Sequence, residues 1–310
     1  MGLWWIVIAL LVLAVAFFVI TYICFRMAFY AKRGGKTESS LSDLPGGEAY
    51  EPFHECMAQW ADECAKMPHE DFYITSFDEL TLHGKYYEYA PGAPIELMFH
   101  GYRGSAQRDL SGGVQRCFEL QKSALIVDQR CSGESGGNVI TFGIRESRDC
   151  LSWINFMVDH FGSDVKIIIT GISMGASTVL IAAGQPLPEN VVGALADCGY
   201  NSAKDIIKKV IKQMGLPVDI GYFFVKLGAK IYGGFDLEET SPEVALASCK
   251  IPVIFFHGES DDFVPCEMSR INYDACPSEK KLVTIPSAAH GLAYLVDPDL
   301  YLKSIREFFK

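Results

Sequence analysis

The sequence predicts an α/β domain built on a mostly parallel β-sheet. Short apolar runs typical of buried strands recur from residue 95 onward, and amphipathic stretches typical of helices lie between them. Strands and helices that alternate in this way form parallel sheets with helices on both faces. Ligands of such sheets bind beyond the carboxyl ends of the strands, so the loops after the apolar runs are the expected place for a functional site. The runs are residues 95–99, 124–127, 165–170, 191–196, 251–256 and 282–285.

The composition is that of a folded, acidic protein. Of the 310 residues, 49% are hydrophobic and 21% are charged, and the formal net charge is −11. The large apolar fraction excludes a disordered chain, and the negative charge argues against a nucleic-acid partner, which would require clustered Lys and Arg. The ten cysteines are scattered without any Cys-x-x-Cys pair. This spacing argues against both a disulfide scaffold and a structural zinc site.

The N-terminal segment is predicted to be a membrane anchor. Residues 3–25 contain no charged side chain, and as a helix they are long enough to cross a hydrocarbon core of ~30 Å. Trp4 and Trp5 at one end and Tyr22 near the other suit the two membrane interfaces. A cleavable signal peptide is the alternative, but its apolar core is usually only about 7–15 residues long and follows a basic start.

The basic residues near this segment predict its orientation. They all follow the apolar run, and none precedes it; they are Arg26, Lys32, Arg33 and Lys36. The positive-inside rule therefore places the rest of the chain on the cytoplasmic side of a single-pass anchor in the cell membrane.

The remaining chain divides into a linker and one domain. We expect the anchor over residues 1–33, a polar, glycine-bounded flexible linker over 34–50, and the α/β domain over 51–310. The domain begins with a predicted helix, followed by two strands separated by a tight turn. That helix covers residues 51–67, and the two strands cover 72–77 and 80–87.

The pentapeptide Gly-Ile-Ser-Met-Gly at residues 171–175 matches the G-x-S-x-G nucleophile elbow. It follows an apolar run and precedes a stretch rich in small residues, which is the strand–turn–helix setting that the motif requires. The glycines permit a sharp turn that raises the hydroxyl of Ser173 above the sheet. The alternative is an ordinary helix start with Ser173 as its N-cap, so the prediction of a nucleophile depends on suitable partners.

The loop after residues 95–99 is the first expected partner. A tetrahedral oxyanion needs about two N–H donors, each worth roughly 2.7–4 kcal/mol in the reaction barrier. We expect these donors from Met174, just after the nucleophile, and from Tyr102 in this loop. His100 is expected to orient the loop and to transfer no proton. The alternative is a glycine-rich turn around a buried histidine.

An acid and a base are expected after the last two apolar runs. His290 lies in a loop of small residues and is the one histidine of seven that combines a late position with a strand-end loop to which no other role is assigned. Asp261 could hold the imidazole in the required tautomer, with Asp262 and Asp197 as competing acids. Asp261 and Asp262 could also simply cap the following helix. The chain order Ser173, Asp261, His290 is the Ser–acid–His order of α/β-hydrolases.

These segments together resemble the α/β-hydrolase superfamily, in particular bacterial serine hydrolases of the esterase-like and prolyl-oligopeptidase-like group. The resemblance covers residues 52–310 and includes 128–137 (DQRCSGESGG), which is similar to the family's loop after the fourth strand, with Cys131 where glycine is usual. It implies an eight-stranded sheet, no metal and no organic cofactor. We expect hydrolysis of small carboxylic esters or thioesters through an acyl-enzyme; the alternatives are a serine peptidase for small peptides and a non-catalytic binding protein.

Residues 201–250 are expected to form a helical lid insert, because they contain no strand pattern. Residues 205–214 are amphipathic, and residues 220–232 are apolar and aromatic. The apolar face could line an acyl or aromatic pocket, or it could pack on the sheet. Three lysines on the opposite face could contact anionic lipid; they are Lys204, Lys208 and Lys212.

Overall fold

The computed structural model describes residues 2–31 and 44–310. Residues 34–43 of the predicted linker therefore lie outside the described residues. So do Lys32, Arg33 and Lys36, three of the four basic residues on which the predicted orientation depends.

The described chain forms one eight-stranded sheet in the order β1-β2-β4-β3-β5-β6-β7-β8. The β1–β2 and β2–β4 pairs are antiparallel, and every other neighbouring pair is parallel. The prediction of an eight-stranded, mostly parallel sheet is therefore confirmed. The strands are β1 (Glu70–Thr75), β2 (Thr81–Tyr87), β3 (Ile95–Phe99), β4 (Ser123–Asp128), β5 (Ile167–Ile172), β6 (Val191–Asp197), β7 (Val253–Gly258) and β8 (Lys280–Ile285).

Helices connect the strands and cover the sheet. They are α1 (Gly2–Ala28), α2 (His54–Lys66), α3 (Ala106–Glu119), α4 (Ile144–Phe161), α5 (Met174–Ala183), α6 (Ala203–Gln213), α7 (Val218–Gly228), α8 (Pro242–Leu246), α9 (Cys266–Ala275), α10 (Ala293–Val296) and α11 (Pro298–Phe308). A 3₁₀ turn (Glu51–Phe53) precedes α2, and a π-helical turn (Ala229–Gly233) follows α7.

Several element boundaries differ by one to three residues from the sequence prediction, and proline accounts for two of these differences. The predicted strand 251–256 begins only at Val253, because Pro252 has no N–H to donate to a neighbouring strand. The predicted helix 51–67 becomes α2 preceded by the 3₁₀ turn, with Pro52 in its first positions, where a missing N–H costs nothing.

The central strands are buried on both faces, which explains why they appear as continuous apolar runs. Every residue of β3, β4 and β7 is buried. The edge strand β1 instead contains both exposed and buried residues, as expected for a strand with one face exposed to solvent. The largest fully buried side chain is Trp153 of α4, which packs in the cluster that contains Leu97 and Leu125.

Helix α1 combines a free part and a packed part. It has 27 residues and is the one helix of the described chain that is long and apolar enough to span a bilayer. The side chains of residues 3–16 are exposed, whereas Phe25 and Phe29 are buried against the domain. The backbone beyond the helix continues this contact, because the Ile140 N–H donates to the Phe29 carbonyl at 2.8 Å and the Ala31 N–H donates to the Asn138 carbonyl at 3.0 Å.

The stretch 201–250 is helical, as its sequence predicts, and contains α6, α7, the π-helical turn and α8. Its apolar side chains join a cluster that also contains Met174, Phe142 and the buried end of α1. These side chains therefore pack against α1, Met174 of α5 and neighbouring loops, and the cluster that they form contains no residue of the sheet.

A buried ion cluster connects β3, in the middle of the sheet, to α3. The carboxylate of Glu96 accepts hydrogen bonds from Arg116 Nη2 at 2.5 Å, Lys122 Nζ at 3.0 Å and Thr170 Oγ1 at 3.2 Å. Burial alone would raise the pKa of Glu96, but the two cations lower it to about 2. The cluster therefore keeps a charged carboxylate inside the protein.

We expect Glu96→Gln to lower the free energy of unfolding by about 3–5 kcal/mol at pH 7, because it leaves Arg116 buried without a counter-ion. The folded-state pKa lies below the unfolded value, so this stabilisation is present above about pH 4.3 and is lost as the pH falls toward 2. Urea unfolding of the detergent-solubilised chain measures both effects.

The matched control is Glu119→Gln, which removes a half-exposed carboxylate 3.3 Å from Arg306. Its cost should be below about 1 kcal/mol. Equal costs for the two variants would contradict the importance of the buried cluster.

Candidate active site

The turn between β5 and α5 holds Ser173 in a strained backbone conformation, with φ 55° and ψ −118°. A side chain could not replace either flanking glycine: a Cβ on Gly171 would lie 2.1 Å from the Gly175 carbonyl oxygen, and one on Gly175 would lie 2.0 Å from the Phe99 carbonyl oxygen. The Ser173 N–H donates to the Asp197 carbonyl at 2.8 Å. These contacts support a strain of order 1–3 kcal/mol and hold the serine at the top of the sheet.

Ser173, His290 and Asp261 form one hydrogen-bonded row. His290 Nε2 lies 2.9 Å from Ser173 Oγ, and His290 Nδ1 lies 2.7 Å from Asp261 Oδ2. A neutral imidazole that donates from Nδ1 to the carboxylate has a free lone pair on Nε2. That nitrogen can then accept the serine proton, which is the geometry that a base for a hydroxyl nucleophile requires.

Asp261 is kept ionised by the donors that surround it. Its Oδ1 accepts from the backbone N–H groups of Phe263 at 2.9 Å and Val264 at 2.8 Å, and its Oδ2 lies 3.3 Å from His257 Nε2. Burial alone would raise the pKa of Asp261, but these hydrogen bonds and the one from His290 lower it to about 2.

The two competing acids lie elsewhere. Asp262 is exposed, and its carbonyl accepts a hydrogen bond from Lys209. Asp197 is buried and its Oδ2 accepts from the Tyr301 hydroxyl at 2.9 Å; burial raises the pKa of Asp197 to about 6. Of the three predicted acids, Asp261 is the one in hydrogen-bond contact with His290.

The loop after β3 lies beside Ser173, as its sequence predicts. A Cβ on Gly101 would be 3.6 Å from Ser173 Cβ, so the backbone that leads to Tyr102 passes next to the serine. Met174 is the first residue of α5, and the first N–H groups of a helix have no intrahelical acceptor. Both predicted N–H donors therefore belong to backbone segments that adjoin Ser173.

His100 contacts the backbone of this loop and the one after β4. Its Nδ1 lies 2.7 Å from the Gly101 carbonyl oxygen, and its Nε2 accepts from the Gln129 N–H at 3.0 Å. Both ring nitrogens are thus used in fixing loops, in agreement with the orienting role expected for His100. Cys131 adopts φ 70°, a left-handed conformation that explains why glycine is usual at its position in similar loops.

Comparison with solved structures identifies the fold. An esterase from Pyrococcus furiosus, Pf2001, superimposes with a TM-score of 0.63 at 21% identity, covering 80% of this chain and 92% of that one. The α/β hydrolase domain-containing protein 10 from mouse superimposes with a TM-score of 0.56 at 20% identity, covering 77% and 97%. The chain has the α/β-hydrolase fold.

The names of the sequence relatives state no enzymatic activity. No family model matches the chain. The uncharacterized protein YqkD of Bacillus subtilis is 28% identical over 195 residues, which are 61% of this chain and 63% of YqkD, so the chain spans slightly less than two thirds of that relative's length. Protein bem46 of Schizosaccharomyces pombe is 26% identical, covering 69% and 67%. The uncharacterized membrane protein YNL320W of Saccharomyces cerevisiae is 25% identical, covering 60% of each chain.

Three contacts in this α/β-hydrolase site were not predicted from the sequence. The Tyr50 hydroxyl donates a hydrogen bond to the His290 carbonyl oxygen at 2.8 Å. The pKa of Tyr50 is raised to about 12, mainly by burial. The Phe263 ring lies edge-on to His290 at 5.1 Å, and His257 adjoins Asp261. No sequence feature predicts the contact of Tyr50, which falls in the predicted linker. The contact of Phe263 could have been predicted from its position, since it is an aromatic residue two positions after Asp261.

A pocket of about 300 Å³ opens at Ser173 and His290 and extends between α2, α3 and α10. None of residues 201–250 is among its lining residues, so the predicted lid contributes no wall to it. The walls are mainly apolar and aromatic; they include Met57, Trp60, Met98, Leu110, Leu195, Leu292, Tyr294 and Leu295.

Cys198 lies close to two members of the hydrogen-bonded row. Its sulfur, a carboxylate oxygen of Asp261 and a ring nitrogen of His290 all lie within 4.8 Å of one another. Such a set could in principle hold a metal ion. However, both nitrogens of His290 are already hydrogen-bonded, and burial raises the pKa of the Cys198 thiol well above its usual value. A metal site needs the thiolate and a free imidazole nitrogen, so these residues fit the hydrogen-bonded row better than a metal centre.

Replacing Asp261 by Asn should leave His290 with a poorly oriented ring and the wrong tautomer. We expect Asp261→Asn to lower kcat/KM for a p-nitrophenyl ester by about 10⁴-fold. The matched control is Asp262→Asn, which changes an exposed neighbour and should stay within about twofold of the wild type. A comparable loss in both variants would contradict the assignment of Asp261 as the orienting acid.

Proposed function

We propose that this protein is a membrane-anchored serine hydrolase that cleaves carboxylic esters or thioesters through an acyl-enzyme. A fold of this kind hosts many reactions, so the proposal has to rest on the site. The observation that carries it is the hydrogen-bonded row of Ser173, His290 and Asp261, with the serine held on a strained turn at the top of the sheet. These residues supply a nucleophile, a base and an orienting acid in direct contact.

The first half of the reaction acylates Ser173. Its Oγ attacks the substrate carbonyl carbon while His290 Nε2 takes the hydroxyl proton, and Asp261 stabilises the resulting imidazolium. The N–H groups of Met174 and Tyr102 would stabilise the negative charge on the carbonyl oxygen. His290 then returns the proton to the departing alcohol or thiol, leaving an ester between Ser173 and the acyl group.

The second half releases the acid and restores the enzyme. A water molecule gives its proton to His290 Nε2 and attacks the acyl carbon, again through an oxyanion held by the same two N–H groups. When the tetrahedral intermediate collapses, the proton returns to Ser173 Oγ. The products are a carboxylic acid and free Ser173, so each turnover consumes one water.

The pocket favours an apolar acyl or aromatic group on the substrate. Its walls include Trp60, Met57 and Leu110, and its volume of about 300 Å³ lies at the lower end of small-molecule sites. Burial of apolar substrate surface there would contribute roughly 25 cal/mol per Å².

Labelling with a fluorophosphonate probe tests the reaction class. We expect the folded wild type to be labelled and Ser173→Ala to remain unlabelled. Because members of a triad act as a unit, Ser173→Ala and His290→Ala should each lower the rate of ester hydrolysis by about 10⁵–10⁶.

A panel of acyl esters, thioesters and peptide amides with the wild type then separates an esterase from a peptidase. Faster cleavage of the amides would favour the peptidase. Absence of Ser173-dependent labelling in folded protein would instead favour a non-catalytic binding protein.

Helix α1 supports the membrane part of the proposal. The side chains of residues 3–16 are apolar and exposed. Exposing so many contiguous apolar side chains to water would be unfavourable, whereas a bilayer would bury them. A relative is named a membrane protein, in agreement with an anchor. Arg26 is exposed at the end of α1 nearest the domain and sits 3.9 Å from the Tyr30 ring centroid, a pair suited to the headgroup layer.

Thiol labelling tests the predicted orientation. With the domain on the cytoplasmic side, a membrane-impermeant maleimide should label the partly exposed Cys56 and Cys266 only after the cells are broken. The matched variant Leu3→Cys, at the opposite end of α1, should be labelled in intact cells. Labelling of the native cysteines in intact cells would reverse the orientation.

A further inference from the structure

Helices α1 and α7 lie side by side and run in the same direction. The Phe17 ring is 5.4 Å from the ring of Phe224. Further along both segments, in the same direction, the Tyr22 ring is 5.2 Å from the ring of Tyr232, which lies in the π-helical turn after α7. Between these contacts the helices approach closely, because a Cβ on Gly228 would lie only 2.9 Å from the Thr21 carbonyl oxygen. The N-terminal end of α7 therefore points the same way as the N-terminal end of α1.

The part of α1 that is free of the domain is too short to span a bilayer. Residues 3–16 are exposed, and at 1.5 Å per residue they cover only about 21 Å of a hydrocarbon core that is ~30 Å thick. The full uncharged run 3–25 covers about 35 Å by the same rise. A bilayer that covers this run must therefore also surround the part of α1 that contacts α7.

The end of α7 that faces this bilayer is apolar and exposed. Four large side chains in the α6–α7 turn and the first two turns of α7 are between 50% and 62% exposed; they are Met214, Leu216, Ile220 and Phe223. Large apolar side chains grouped in this way mark an interaction surface. Their place beside the exposed apolar face of α1 makes the two surfaces continuous.

Charged side chains flank the apolar N-terminal end of α7. Lys208 Nζ lies 2.9 Å from Asp219 Oδ1, so the acidic group at the start of α7 is paired, and Lys212 is exposed on α6. Lysines beside an apolar surface can reach anionic headgroups while the apolar side chains contact acyl chains.

We propose that the tip formed by the α6–α7 turn and the start of α7 inserts into the leaflet that α1 leaves on its way to the domain. The occupant of this surface is the lipid of that leaflet, through its acyl chains. The inference rests on the proposed anchoring of α1 and adds to it a second membrane contact, which fixes the orientation of the domain against the bilayer.

Site-specific photocrosslinking tests this contact in the full chain. The chain is reconstituted in nanodiscs of phosphatidylcholine and phosphatidylglycerol, with p-benzoylphenylalanine in place of Ile220 or Phe223. Mass spectrometry then measures the fraction carrying a lipid adduct. We expect adducts at both positions at a yield at least about tenfold above that of the same replacement at Tyr73, as befits an acyl-chain contact. Tyr73 is a matched control because it is 55% exposed, against 53% for Phe223, and lies on the edge strand β1.

A replacement at Ile8, in the free part of α1, separates failure of the inference from failure of the anchor. Adducts at Ile8 with only the Tyr73 background at Ile220 and Phe223 would overturn the insertion of the tip and leave the anchor intact. Background yields at all of these positions would overturn both. Circular dichroism checks that each variant keeps its fold, which the exposure of the replaced side chains favours.

Discussion

The close backbone approach at Gly175 is the constraint on which the site depends. This glycine packs against the carbonyl of Phe99, so the start of α5 is held directly against the end of β3. Ser173 at the end of β5 and the loop that carries Tyr102 at the end of β3 are therefore positioned by one contact between two backbones. Asp261 and His290 then reach Ser173 from β7 and β8, two and three strands away from β5 in the sheet. Their side chains meet because parallel strands bring all their carboxyl ends to one edge.

The environment shifts the pKa values of two buried carboxyl groups near this edge in opposite directions. Asp261 accepts two backbone N–H groups and adjoins two histidines, which outweigh burial and lower its pKa to about 2. Asp197, one strand closer to Ser173, has the Tyr301 hydroxyl as a partner for Oδ2, and burial raises its pKa to about 6. The site therefore has one permanent charge that can stabilise an imidazolium, and a neighbouring carboxyl that is only weakly acidic.

The sequence predicts the parts of this molecule that follow from local pattern. The central strands were evident because burial on both faces makes them continuous apolar runs. Ser173, Asp261 and His290 were selected as candidates because each follows an apolar run, although the run before His290 belongs to the partly buried edge strand β8. Contacts that depend on distant packing left no such signal. Tyr50 reaches His290 across 240 positions of the chain, and the pocket wall at Trp60 belongs to a helix that precedes the parallel strands. For the insert 201–250 the sequence allowed both lining and packing, and only the assembled cluster distinguishes them.

The contact between the end of α1 and the loop after β3, which contains Tyr102 and Arg103, also depends on distant packing. The last carbonyls of a helix lack intrahelical donors, and at the end of α1 the active-site loop supplies them. The Tyr102 hydroxyl donates to the Ala28 carbonyl at 2.8 Å, and Arg103 Nη2 donates to the carbonyls of Met27 at 2.9 Å and Tyr30 at 3.1 Å. Because Phe29 is fully buried beside Phe142, whose ring contacts Tyr102, this end of α1 is part of the domain core. Any displacement of α1 relative to the domain must therefore break hydrogen bonds made by the loop that lies against Ser173.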